Sequence, residues 1–367
     1  MAASVYTTLI SRHDEYGFQR PKGFDYISYD KFMTEYVAIL VKRAKRWETF
    51  LGKNPNYSKL KRSAKLERFV HKGIPMSLRG HIWMEISNAR MKRDEVPSLY
   101  QDLLLKQVKS DTIIEQIATD IPRTFPTNIF FRGKDPKSLE QPLFNVLLAF
   151  ANHNSQIGYC QGLNYVVGLL LLVTKDEDQS FWILKCLLED ILPDYYSPNL
   201  PGLLVDMKVL NLLVEDHCPR LAKHLAAQNV TWELICSKWF ICLFCDILPI
   251  ETVLRIWDCI LYNGSGIVMK VALLTVILHE EEMIKTKDFV ELVTKFKTYT
   301  TSKKVLNCHE FIEVSRVVFF CLFTDAKLIL FLQKLLDKDF ILSDDHLKSL
   351  REKCQVEVQE ELDKRPK

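Results

Sequence analysis

Apolar residues return along this chain at intervals of three and four, and runs that alternate at every second residue are rare. That spacing predicts amphipathic helices. It places them over Tyr29–Phe50, Leu139–Asn152, Asp178–Ile191, Leu200–Asp216, Trp232–Ile247 and Gly266–Glu282, with a further helix from Asp111 to Ile121. Prolines, glycines and polar clusters break the pattern at Gly73–Pro75, Pro122–Pro126, Asp135–Pro136, Pro193–Pro201 and Pro249. These are the stop signals of helices joined by short connections. No repeat of fixed period is present, so a solenoid is not expected. The expected fold class is all-α.

The chain has 367 residues, enough at roughly 150 residues per domain for two compact units or one large one. The expected division is residues 1–68 as an N-terminal helical extension, 69–268 as the core that carries the motifs described below, and 269–367 as a C-terminal helical region and tail. Hydrophobic residues make up 48% and charged residues 26%, the balance of a folded protein rather than a disordered one. A net charge of +3 gives no electrostatic argument for nucleic acid. Lys42 to Arg68 is rich in lysine and arginine and admits a phosphate- or lipid-binding patch. Because acidic and apolar residues interleave with the basic ones, a solvated helix face and linker is the preferred reading.

Two apolar runs require a membrane test. Tyr165 to Val173 is far shorter than the ~20 residues needed to span a bilayer. Val314 to Leu332 is nearly long enough, but Arg316, Asp325 and Lys327 interrupt it, each costing roughly 2.5–3.5 kcal/mol near the bilayer centre. A buried helix is expected there. Met1 to Leu9 has neither the basic start nor the apolar stretch of a secretory signal. The 10 cysteines lie in apolar segments, not at the close spacings of a disulfide scaffold, and are expected to be reduced and mostly buried. Together these features point to the cytoplasm.

Most catalytic signatures are missing. There is no GxxxxGK[ST] loop, and the sequence HEEEM from His279 has Met283 where a zinc motif needs histidine. Cys242 and Cys245 form an isolated CxxC inside WFICLFCDIL, which reads as a buried helix packing its sulfurs in the core.

What the chain carries instead is an ordered series of short motifs: GIPMSLRGHIW from Gly73, IATDIPRTFP from Ile117, GYCQGLNY from Gly158, SKWFICLF from Ser237 and RIWD from Arg255. In order and separation, from Gly73 to Gly266, the series resembles the TBC domain of Rab GTPase-activating proteins. The resemblance implies an all-helical fold and stimulation of GTP hydrolysis on a Rab-type small GTPase in its GTP state. It implies too that nucleotide and Mg²⁺ come with the partner, so that this chain has no cofactor or metal of its own. Contact with endomembranes would be transient and through the Rab.

The same resemblance puts Arg123 on the family's IxxDxxR finger and Gln161 on its glutamine finger. Chemistry supports both residue types. Phosphoryl transfer needs negative charge stabilised on the phosphoryl oxygens and a water held in line. An arginine offers a permanently charged planar fork for the first task, and a glutamine amide accepts from water while donating to phosphate for the second. Pro122 should end the preceding helix and present Arg123 from its terminus. Asp120, three residues back, is placed to pair with the guanidinium and hold it extended. Gly158 and Gly162 flank Gln161 and ease close approach of a ligand. Tyr159 and Gly162 are read as supporting residues, and Tyr159 and Asn164 as shaping the loop rather than touching phosphate. Trp83, Trp239, Phe240 and Trp257 are expected in the core, and Arg79, Arg255 and Asp258 in internal ion pairs. Two other readings stand beside this one: a Rab-binding module that is catalytically silent, and a helical scaffold or nucleic-acid-binding protein that uses the basic stretch.

Overall fold

The computed structural model describes residues 12–20, 22, 24–52, 60–106, 110–132, 137–300, 308 and 342–364. Val314–Leu332 and Met1–Leu9, with part of the basic stretch, lie outside the described residues. Packing separates the chain into two compact units, one ending at Leu187 and one beginning at Leu188. Regular structure is helical throughout the described residues. The extended pairings are two isolated bridges, His13 with Gln19 and Phe18 with Asn128.

The first unit contains α1 (Tyr26–Leu51), α2 (Ala64–His71), α3 (Met76–Ile86), α4 (Ala89–Glu95), α5 (Leu99–Leu105), α6 (Asp111–Asp120), α7 (Glu140–His153), α8 (Leu163–Thr174) and α9 (Glu177–Cys186). Its centre is α8, whose sequence LNYVVGLLLLVT is apolar on nearly every side, so that Leu163 to Leu172 is buried apart from half-buried Tyr165. A helix without a polar face must be enclosed, and α3, α7 and α9 pack on it. Helix ends follow local chemistry. The Ser63 side chain accepts from the Leu66 amide at 3.2 Å, and Asp176 accepts from that of Gln179 at 2.8 Å, each satisfying an amide of the first turn. The C-terminal end of α1 is fixed by Trp47, whose indole donates to the Gly73 carbonyl at 2.9 Å and whose ring meets Phe69 edge-on at 5.3 Å.

The second unit contains α10 (Pro201–His217), α11 (Pro219–Ala227), α12 (Trp232–Ile241), α13 (Ile250–Asn263), α14 (Gly266–Ile277), α15 (Glu280–Met283), α16 (Phe289–Thr300) and α17 (Asp344–Asp363). Helix α10 packs against α11, α12, α14 and α17. Charge holds α17 in place: Arg351 grips the buried Asp206 with two nitrogens at 2.7 and 2.8 Å, and Lys270, itself buried, reaches Asp344 at 2.6 Å. Trp239, Phe240 and Trp257 are core residues, as is Trp83 in the first unit. Arg255 and Asp258 are fully buried on α13. No helix among the described residues is long and apolar enough to cross a membrane.

Three helices depart from the course their periodicity predicts. The expected Trp232–Ile247 helix ends at Ile241, and Leu243, Phe244 and Asp246 turn into the left-handed region with φ of 48°, 64° and 60°. The reason is tertiary: Trp257 donates its indole N–H to the Leu243 carbonyl at 3.0 Å, and the Phe244 amide reaches back to Trp239 at 2.8 Å. Cys242 and Cys245 are buried as expected, but in this turn rather than in a helix. The Asp178–Ile191 segment widens after Cys186 into one π turn over Leu187–Ile191. The Gly266–Glu282 segment ends at Ile277 and resumes at Glu280.

Candidate functional site

The chain leaves α6 through a single 3-10 turn, Ile121–Arg123, with Pro122 inside it. Proline cannot donate to continue the ladder, so the helix tightens and releases Arg123 at its end. The Arg123 side chain is 50% exposed, and its guanidinium pairs with Asp120, whose side chain is only 4% exposed. Asp120 therefore acts as a buried anchor under an exposed cation; the sequence suggested the pairing but not the burial.

Tyr159 holds the other oxygen of that carboxylate, its hydroxyl donating to Asp120 Oδ2 at 2.5 Å. Burial, and after it the bond to Asp120, pushes the Tyr159 phenol well above the usual tyrosine range, so the group stays a donor. Tyr159 thus joins the loop of Gln161 to the loop of Arg123. A second tie lies deeper. Asn164 donates to the Thr124 hydroxyl at 2.8 Å while its own oxygen accepts from the Gly162 amide at 3.1 Å. Thr124 in turn donates to the Asp120 carbonyl at 2.8 Å. A third comes from Tyr165, whose hydroxyl donates to the Arg123 carbonyl at 3.2 Å.

Gln161 is exposed. It sits between Gly158, at φ 57°, and Gly162, at φ 109°; this backbone belongs to the left-handed region that glycine enters without penalty. Gly162 then starts α8. Cys160, between Tyr159 and Gln161, is half-buried, and burial pushes its thiol up to about 11, so that it stays protonated at neutral pH.

Of the residues named from sequence, Arg123, Asp120, Tyr159 and Gly162 all take part in one connected network, and Gln161 lies on the loop that Tyr159 and Gly162 tie down. Arg79 is buried and donates to the Tyr16 hydroxyl at 2.5 Å. Sequence reasoning passed over Thr124, Tyr165, Phe125 and Gly168. Phe125, two residues after Arg123, is buried and has φ 46°. Gly168 leaves it room: a Cβ there would lie 2.9 Å from Cε2 of Phe125 and 3.2 Å from Cγ2 of Thr124. A glycine inside an otherwise apolar helix was the available signal for this close approach.

An exposed guanidinium on a buried acidic base, and an exposed carboxamide on a glycine-flanked turn tied to the same loop through Tyr159, are groups suited to stabilising anionic charge and orienting a water brought by another molecule. The chain belongs to the Rab-GTPase-TBC domain family, whose model matches residues 76–284. Growth hormone-regulated TBC protein 1 of Homo sapiens is 42% identical to it over 306 residues, covering 83% of this chain and 89% of that protein. Growth hormone-regulated TBC protein 1-A of Danio rerio is 43% identical over 300 residues, covering 82% and 83%. The Chlamydomonas flagellar RabGAP TBC domain has a TM-score of 0.70 to this structure at 28% identity, covering 83% of this chain and 97% of that one. The Ypt/Rab-GAP domain of Gyp1p shares the fold, with a TM-score of 0.65 at 22% identity over 76% of this chain and 98% of that one. The all-α expectation holds, and membership of the family places the chain among Rab GTPase-activating domains.

Proposed function

We propose that this chain accelerates GTP hydrolysis on a GTP-bound Rab-type GTPase by inserting Arg123 and Gln161 beside the partner's terminal phosphate. The observation that supports this best is the tie between the two loops: Asp120 pairs with Arg123 and accepts from Tyr159, two residues from exposed Gln161. A cation fixed before the partner arrives loses little entropy on docking. In arginine-finger systems such a group accounts for about 10³–10⁵ in rate, which is roughly 4–7 kcal/mol of barrier. The partner brings GTP and Mg²⁺, and Gln161 orients the attacking water.

The test is single-turnover GTP hydrolysis across a panel of Rab proteins with wild type, Arg123→Ala and Gln161→Ala. Arg123→Ala is expected to lose most of the stimulation while keeping its helical signal. Stimulation by Arg123→Ala equal to wild type would refute the finger. Saturable Rab binding by wild type with unchanged turnover would leave a binding module instead.

A further inference from the structure

The segment from Arg12 to Arg20 lies far outside the residues that the family model matches, yet it packs on the loop that follows Arg123. It forms a closed turn: the Asp14 carboxylate accepts from the Tyr16 and Phe18 amides, each at 2.9 Å, and the Arg20 amide donates to the Arg12 carbonyl at 2.8 Å. The turn then bonds to the finger loop along its length. Gln19 donates to the Thr127 carbonyl at 3.1 Å and Ile129 to that of Gly17 at 3.0 Å, while the Asn128 side chain donates to the Tyr16 carbonyl at 3.0 Å. The fit is close: a Cβ at Gly17, where φ is 87°, would lie 2.8 Å from the Phe130 ring and 2.9 Å from Ile129. At its other end Arg20 stacks over the rings of Phe24 and Tyr29, at 4.8 and 4.2 Å.

The contact that matters for the finger is Phe18. Its ring meets Phe125 edge-on at 5.0 Å. Phe131 and Tyr165 meet the same ring at 5.6 and 5.4 Å. Phe125 is a bulky residue in the left-handed region, a conformation that costs about 1–2 kcal/mol and persists only where its surroundings enforce it. Two residues after Arg123, it sets the direction in which the chain leaves the finger.

From this geometry we infer that the turn Arg12–Arg20 is a positioning element for Arg123: by clamping Phe125 it holds the finger loop in the conformation from which the guanidinium is presented. The inference rests on the proposed GTPase-activating role. It assigns a function to residues outside the matched domain, and it makes a specific division. Loosening the turn should lower the rate within the complex, since displacement of a catalytic group by about 1 Å can cost up to 100-fold, while leaving the affinity for the Rab unchanged.

The test uses the full chain with Phe18→Ala and Gly17→Val. Phe18 is only half-buried, so its truncation leaves the core standing; Gly17→Val displaces the same turn by a different route. Two quantities are measured: the saturating single-turnover rate and half-saturating concentration on a responsive Rab, and hydrogen exchange of residues 121–131 without partner. Both variants are expected to lower the saturating rate roughly tenfold at unchanged half-saturation, and to speed exchange in 121–131. Unchanged exchange there overturns the inference, whatever the rate does. So does a loss confined to half-saturation, which would make the turn part of the Rab-docking face. If wild type stimulates no Rab, the proposed function fails, and the exchange comparison still decides whether the turn braces the loop.

Discussion

Replacing Tyr159 with phenylalanine deletes one hydroxyl and keeps the ring, so its effect can be worked from two interactions on one carboxylate. Asp120 is bound on one side by Arg123 and on the other by Tyr159. The two bonds differ in worth because their surroundings differ. The guanidinium is half exposed, and an ion pair so open to water contributes on the order of 0–1 kcal/mol. The Tyr159 bond is sheltered and charge-assisted, and hydrogen bonds to charged groups contribute about 1.5–3 kcal/mol, with a further penalty where the abandoned partner stays buried. Tyr159→Phe should therefore destabilise the fold by about 2 kcal/mol, read as a shift in urea midpoint. Part of the loss should fall on Arg123, because a carboxylate released from Tyr159 can rotate and carry the guanidinium with it. If about 1.4 kcal/mol of the loss reaches the barrier, stimulated hydrolysis drops roughly tenfold. In an Arg123→Ala background the same substitution should leave the residual rate unchanged, since no finger remains to misplace. A Tyr159→Phe protein as stable and as active as wild type would refute the anchor. Additive rate losses in the double variant would show that Tyr159 acts by some route other than Arg123.

Two further predictions concern stability. Burial, opposed by the amides of Phe18 and Tyr16, raises the Asp14 carboxyl to about 6, with Glu15 reinforcing the shift and Arg20 opposing it. A raised acid favours the folded state at low pH, and that contribution is lost as pH rises through about 6. Wild type should gain about 1 kcal/mol more than Asp14→Asn between pH 7.5 and pH 5, measured as the difference in urea-unfolding free energies; equal pH dependence would rule the shift out. In the second unit, Arg351→Met strips the guanidinium from Asp206, whose side chain is 1% exposed and keeps only the Tyr195 hydroxyl at 2.5 Å among the bonds described here. An uncompensated buried charge should cost about 3–5 kcal/mol, and adding Asp206→Asn should recover part of it; a loss below about 1 kcal/mol would contradict the buried pair.

The helices and the order of motifs were legible because both are written in local pattern: three- and four-residue spacing for α1, α7 and α10, and Pro122 for the release of Arg123. The pairing of Asp120 with Arg123 was legible from i,i+3 spacing, its weight came only from the surrounding motif, and the burial of Asp120 was legible from neither. What escaped was set by contacts distant in sequence. Periodicity ran on through Leu243 and Phe244, where the Trp257 indole captures a carbonyl from the far side of a turn. The Arg12–Arg20 turn has no helical or strand period, so nothing local could couple it to residues more than a hundred positions away. Thr124 looked like a small polar residue beside a more eloquent arginine, and its role appears only when Asn164 reaches it. Gly168 was visible as an anomaly in α8, but its meaning needed the ring of Phe125 against it.

These long-range contacts share a physical logic. A group that must stabilise charge in another molecule's transition state has to stand exposed, and an exposed arginine on a loop is by default mobile. Rigidity must then come from beneath. Asp120, Thr124 and Asn164 are all buried, and buried polar groups hold one arrangement because any other leaves a donor or acceptor unmatched at a cost of about 1–3 kcal/mol. That arrangement is anchored on α8, the most apolar helix of the first unit, through Asn164 and Tyr165 in its first turn. Polarity at the start of an otherwise greasy helix thus has a purpose here: it converts the immobility of the core into a fixed position for a charge at the surface. The same reasoning explains why Gln161 precedes that helix by two residues. The turn entering α8 adjoins the rigid core while leaving a side chain in solvent, so Arg123 and Gln161 both stand exposed on loops tied to that helix.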